Sequence, residues 1–174
     1  EDSAYAACPV ALNIGTVHAA GGGRLLMISR PSRGYAAWCA ANFTLAERTD
    51  AAVCGPLAKG ADGMENLMRY ALGLDRDTPS APYLPQLGRA DGALIYSFRK
   101  RAAGDSGVDY VVVTADDLRA APSSWRNAFE VDGLSVRLLE PQATADPAVE
   151  VLSVEIVPAV QHPARFFRLR VIQQ

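Results

Sequence analysis

The chain has 174 residues, 49% of them hydrophobic and 21% charged. That is the balance of one globular domain, or of one domain with an appended segment. The 17 Lys and Arg against 19 Asp and Glu leave a net charge of −2. This gives no broad basic field for nucleic acid and no polybasic patch for a membrane surface. No apolar run approaches the roughly 18 residues of a membrane span. The chain opens Glu1-Asp2-Ser3, so a processed product or a piece of something longer is expected, and no signal peptide is visible.

Residues 1–34 are rich in Ala and Gly. Arg24–Ser29 forms a short apolar run that fits a strand, and Gly21-Gly22-Gly23 breaks the chain before it. This region reads as a connector, or as one or two extra strands. Residues 35–48 fit a helix with Tyr35, Trp38, Cys39 and Phe43 near one face and Ser32 as a candidate cap. Residues 50–62 then read as a loop around Gly55-Pro56 and Gly60.

The strongest helical period lies at 63–73. Met64, Leu67, Met68, Ala71 and Leu72 recur at i, i+3, i+4, i+7 and i+8. Asp62 is placed to cap this helix, and Gly73 to end it in a left-handed conformation. Pro79, Pro82 and Pro85 make 79–91 read as a stiff spacer.

From residue 92 the period becomes two. Leu94–Arg99 and Asp109–Thr114 read as strands, and Ala103–Gly107 between them as the turn of a hairpin. Asp116–Arg119 fits a short helical turn. Three further strands are expected at Leu134–Glu140, Val149–Val157 and Phe166–Ile172. The expected fold is α+β: a short two-helix segment (35–78), the spacer, and an antiparallel β-sandwich over 92–174 of immunoglobulin or fibronectin kind.

Three cysteines are present, Cys8, Cys39 and Cys54. None forms a C-x-x-C pair, which argues against a zinc or thioredoxin-like site. Cys39 and Cys54 enclose 14 residues and fit either a disulfide or two buried thiols.

The text Tyr35-Ala36-Ala37-Trp38, Asn42-Phe43-Thr44, Gly55-Pro56, Asp62-Gly63 and Asn66-Leu67-Met68-Arg69-Tyr70-Ala71-Leu72-Gly73-Leu74-Asp75 resembles the C-terminal accessory segment of large secreted verrucomicrobial and planctomycete-type proteins. Leu94–Arg101, Tyr110–Val113, Asp117-Leu118, Trp125 and Arg165–Val171 continue the likeness, which spans about residues 35–172. The resemblance implies an Asp-rich loop ahead of a helix, similar to dockerin and thrombospondin type 3 calcium repeats, followed by a small β-domain.

The departures from that pattern carry the expectation about metal. The loop here is Ala58-Lys59-Gly60-Ala61-Asp62-Gly63, with one aspartate, and Arg69 stands at the downstream acidic position. Calcium takes about 6–8 oxygen ligands. One carboxylate beside Lys59 and Arg69 falls far short, so loss of calcium binding is expected, with the helix held by packing alone. Cys39 and Cys54 stand where the pattern has small residues, which implies a disulfide that replaces the lost calcium staple.

Catalytic chemistry has little to build on. His18 and His162 lie in unrelated contexts. No Gly-x-Ser-x-Gly elbow or phosphate loop is present. Asp116-Asp117 are adjacent, whereas glycoside hydrolysis needs carboxylates facing each other across a bond. Tyr96, Tyr110 and Trp125 are candidate sugar-stacking rings, with Trp125 expected to be exposed. Arg168 and Arg170 share one face of the last strand opposite Phe167, Leu169 and Val171, and are candidates for an anionic polysaccharide or envelope surface. Arg99-Lys100-Arg101 forms a second basic cluster.

The sequence therefore predicts a non-catalytic accessory module of an exported bacterial protein, secreted or held at the cell surface or in the periplasm, without cofactor or metal. Its role would be binding carbohydrate or anchoring and sorting the parent at the envelope. Its partners would be a polysaccharide or envelope surface and the upstream domains of its parent, with no nucleic acid and no membrane span. A purely structural spacer is the first alternative. A small polysaccharide-acting hydrolase with unrecognised catalytic residues is the second.

Overall fold

The computed structural model describes residues 34–102, 106–158 and 165–174, together with the backbone of two short pairs at 19–20 and 24–25. Those pairs form an antiparallel ladder of β1 (Ala19–Ala20) and β2 (Arg24–Leu25). Expectations for the rest of 1–33, including Cys8, His18 and the cap Ser32, lie outside the described residues, as does His162.

The helical part is more broken than its periodicity suggests. α1 spans Gly34–Asn42 and ends early. The expected loop after it holds α2 (Ala51–Cys54), capped by the Asp50 carboxylate, which accepts from Ala52 N–H. α3 spans only Asn66–Ala71. Asp62 does not cap it. Its Oδ1 accepts from Met64 N–H, two residues on, an Asx turn that competes with helix formation.

The end of α3 follows expectation. Gly73 has φ +70°, Leu74 N–H donates to Arg69 C=O and Gly73 N–H donates to Tyr70 C=O. This is a Schellman motif, which needs a residue tolerant of the left-handed region. A Cβ on Gly73 would also lie 2.3 Å from Val149 Cγ2.

Eight antiparallel strands follow in two sheets. β3 (Gln86–Ala90), β4 (Ala93–Arg101), β9 (Val149–Pro158) and β7 (Leu134–Leu138) form one in that order, with β8 (Gln142–Ala143) also on β9. β10 (Phe166–Gln173), β5 (Val108–Ala115) and β6 (Arg126–Asn127) form the other. The fold is thus α+β with a β-rich part.

Three expectations change. β4 and β5 are not a hairpin: β4 pairs with β3 and β9, whereas β5 pairs with β10 and β6. β4 ends at Arg101 in one sheet and β5 begins at Val108 in the other. Alternation fixes a strand's two faces but not its neighbour, and here the partners are distant in sequence. The Pro-rich stretch is not a plain spacer either, because it carries a 3₁₀ turn at Ala81–Tyr83 and then β3. Pro79, Pro82 and Pro85 all precede the ladder, where their missing N–H groups cost nothing. The Asp116–Arg119 stretch is a turn, and the 3₁₀ helix falls at Pro122–Ser124.

One core cluster joins the two sheets to the helical part. Tyr96, Phe98, Leu152, Val154 and Ile156 of the first sheet meet Val112 and Leu169 of the second, and Leu72 and Leu74 from the end of α3. Tyr96 and Phe98 share a strand face, and both are buried, including the ring offered for sugar stacking. A second cluster packs Tyr35, Trp38 and Phe43 with Leu67, Tyr70 and Val108. Polar groups tie the same junction. Tyr110 Oη donates to Ala71 C=O at 2.8 Å, Arg101 Nε to Tyr70 C=O at 2.7 Å and Arg99 Nε to Leu72 C=O at 3.2 Å. These donors meet carbonyls that the end of a helix leaves open. Among the described residues, no helix is long and apolar enough to cross a membrane.

Candidate functional site

Three places gather the residues to which the sequence draws attention: the loop ahead of α3, the cysteine pair, and the outer face of β10.

In the loop, Arg69 is the organising group. It projects from the middle of α3 and is 2% exposed. Its Nη2 donates to Asp62 Oδ1, and its Nη1 donates to Thr78 C=O at 2.7 Å and Asp75 C=O at 3.4 Å. Burying a guanidinium is costly unless its donors are met; here the two Nη groups meet one carboxylate and two carbonyls, while Nε is buried without a hydrogen-bond partner. Its Nε side lies against Gly60, where a Cβ would come within 2.9 Å of Nε. The glycine is what lets the loop close over the cation.

Asp62 answers from the other side. Its Oδ2 accepts from Ser80 N–H at 3.1 Å, and its side chain stays 30% exposed. Hydrogen bonding from Ser80 first, then from Arg69 and the Met64 N–H, holds this carboxyl well below the usual carboxylate range. One ion pair thereby links the loop, α3 and the 75–80 segment.

This arrangement does not fit calcium. The carboxylate and the two carbonyls turned toward this point already accept from a fixed positive charge. Among the described residues, no group of three His, Cys, Asp or Glu side chains converges to hold a metal ion. The expectation that packing alone holds the helix is corrected: a buried cation on the chain itself does so. The signal lies in the sequence: Asp62 is the one loop aspartate that the calcium pattern retains, and Arg69, at the downstream acidic position, is the cation that pairs with it.

A neighbouring cluster pins the turn after α1. Glu47 accepts from Thr44 N–H at 2.8 Å and from Arg76 Nη1 at 2.7 Å, and Arg76 lies over the Phe43 ring at 4.7 Å. The Thr44 N–H, then Arg76, lower the Glu47 carboxyl to about 2. Between these two clusters lies a cavity of about 510 Å³ lined by Lys59, Asp62, Arg69, Arg76 and Asp77 among others. Of its lining charges, Asp62 pairs with Arg69, and Arg76 with Glu47 and Asp77.

Cys39 on α1 and Cys54 at the end of α2 are both fully buried and lie 3.1 Å apart. The expected disulfide is not formed in this structure, since a bonded pair sits at about 2.05 Å. Cys39 Sγ donates instead toward Cys54 C=O at 3.8 Å.

The ring platform expected from Tyr96, Tyr110 and Trp125 is not assembled. Tyr96 belongs to the inter-sheet core. Tyr110 packs against the same core, stacked on Phe98, with its hydroxyl spent on Ala71 C=O and Arg101 N–H. Burial raises both phenols to about 12. Trp125, expected to be exposed, is 7% exposed and packs with Val113 and Ala115 on the outer face of the β10-β5-β6 sheet. Its Nε1 donates to Ala120 C=O at 3.3 Å.

Arg168 and Arg170 are both exposed on that outer face, opposite Val113 and Val111, while Leu169 turns into the core as expected. The Arg168 guanidinium lies 4.1 Å over the Trp125 ring. Stacking of this kind occupies the face of the cation and leaves N–H groups at its edge. The Arg99–Arg101 cluster, by contrast, is consumed: Arg99 lies over Tyr83, Lys100 pairs with Glu150 at 2.6 Å and Arg101 lies over Tyr70. Asp116 pairs with Arg165 at 3.1 Å, and Asp117 accepts from Arg119 N–H at 2.8 Å, so these adjacent carboxylates do structural work.

Compared with models of protein families, with curated proteins and with solved structures, the chain finds no match.

Proposed function

We propose that this chain is a non-catalytic accessory module of a larger exported bacterial protein, whose β-rich part is an immunoglobulin- or fibronectin-like sandwich. Its role is to hold the parent at the cell envelope by contact with an anionic polymer through Arg168 and Arg170. One observation carries the reading: of the five candidate binding residues, these two arginines are exposed, and they share one sheet face. The three rings are turned to packing, so charge rather than sugar stacking is the available chemistry. The two-sheet core shared by inward side chains of both sheets supports the sandwich, and the likeness of residues 35–172 to secreted accessory segments supports the setting.

Native gels cast with neutral and anionic polysaccharides test this. Retardation by an anionic polymer is expected, weakening as salt screens the contact and lost in the double variant Arg168→Ala/Arg170→Ala. Retardation by a neutral polymer that survives both changes would return the function to sugar binding elsewhere on the surface. Unchanged migration on every gel would leave the module as a structural spacer.

A further inference from the structure

We propose that Cys39 and Cys54 are oxidised to a disulfide as the chain folds, fastening α1 to α2. The observations are their approach to 3.1 Å and their complete burial in one apolar cluster. Two thiols at this separation need only a small side-chain rotation to reach bonding distance. The Cys54 carbonyl keeps a donor through the change. Bonding removes the Cys39 S–H donor from Cys54 C=O, but that carbonyl still accepts from Tyr35 Oη at 2.8 Å.

The chemistry balances with a disulfide-bearing oxidant, a protein or small-molecule disulfide. The two thiols give up two protons and two electrons and one S–S bond forms. The oxidant's own S–S bond breaks and leaves as two thiols. Such exchange runs through a mixed disulfide and needs access to a thiolate. Neither sulfur is reachable once α1 has docked on α2 and α3. The bond must therefore form before that docking closes, and afterwards the same burial shields it from reductants. This inference is independent of the anionic-polymer reading and is tested without any ligand.

Trypsin places the two cysteines on separate peptides, Gly34–Arg48 and Thr49–Lys59, and Cys8 on a third. The full chain, purified from an oxidising compartment, is denatured without reductant, alkylated, digested and weighed. The expected result is one linked pair, Gly34–Arg48 with Thr49–Lys59, lighter than the two thiol peptides by two hydrogens. Alkylation of both Cys39 and Cys54, or a link from either to Cys8, would overturn the proposal. A thermal scan adds a second readout. Reductant should lower Tm by about 6–12 °C, the scale for closing a loop of this size in a chain of this length. Cys8→Ser should keep that shift and Cys39→Ala should abolish it. A shift that persists in Cys39→Ala would also overturn it.

Discussion

Arg69 and Arg168 are the same side chain put to opposite uses. Arg69 sits under the loop with its fork committed to Asp62, Thr78 and Asp75, and it is nearly inaccessible. Arg168 lies flat on Trp125 at the surface with its edge toward solvent. The first has given up its hydration and is held by fixed protein oxygens. The second keeps water as its main partner. A buried cation therefore acts as a structural part, because removing it strands the oxygens around it. An exposed cation costs little to remove and remains available to a partner in solution.

The largest expected effect tests the buried member. Arg69→Ala should destabilise the chain by about 3–5 kcal/mol, since carbonyls and a carboxylate lose a shared donor and a cavity opens. Arg69→Lys should recover only part of this, because an ammonium cannot span the fork. Chemical denaturation of the three proteins measures the difference. Equal stability of wild type and Arg69→Ala would show that the buried fork is not what secures α3.

The next effect tests how α3 is joined to the sheets. Gly73→Ala should cost about 2–4 kcal/mol, from left-handed strain and from collision of the new Cβ with Val149. A loss of less than about 0.5 kcal/mol, the scale of a neutral surface change, would mean that the segment yields without disturbing β9.

The pH dependence separates the two regions further. Glu47 and Asp62 have carboxyl groups lowered in the folded state. Their stabilisation is full above the unfolded values near 4 and fades as pH falls toward about 2 for Glu47 and lower for Asp62. Tyr96 and Tyr110 are raised to about 12 in the folded state. The unfolded chain sheds those protons near pH 10, so stability should fall between about pH 10 and 12 as the unfolded state gains the charge first. Tm measured across both windows, with Glu47→Gln and Tyr110→Phe as controls, checks each half. The acid loss should shrink in the first variant and the alkaline loss in the second.

The smallest effect belongs to the exposed member. Arg168→Ala should change stability by no more than about 1 kcal/mol, the scale of a surface cation–π contact. A larger loss would mean that Arg168 is needed to close the lid over Trp125, and would weaken its assignment to a partner.

The local features were legible in the residues. Gly73 ends its helix in the left-handed region, the alternation of Leu94–Arg99 puts Tyr96 and Phe98 on one face, and Arg168 and Arg170 face away from Leu169. These follow from the period of a strand or the freedom of a glycine, which act over a few neighbouring residues. The boundaries Val149–Pro158 and Phe166–Gln173 match the expected strands closely for the same reason. Strands as short as Arg126–Asn127 and Gln142–Ala143 were not foreseen, because two residues carry no period to read.

What only the tertiary structure decided concerns distance along the chain. The pairing of Leu94–Arg101 with Val149–Ile156 rather than with Val108–Ala115 depends on which faces close a common core. The burial of Trp125 depends on an apolar sheet face assembled from strands that are far apart in sequence. Arg69 was visible as a charge in a helical stretch, but its neutralisation required Asp62, Thr78 and Asp75 to converge from three places. Sequence by itself set the helix end, the strand faces and the small net charge of −2. Three-dimensional packing decided which charges and rings were spent inside and which were left for a partner, because desolvation is settled by the whole surrounding shell and not by the residues on either side.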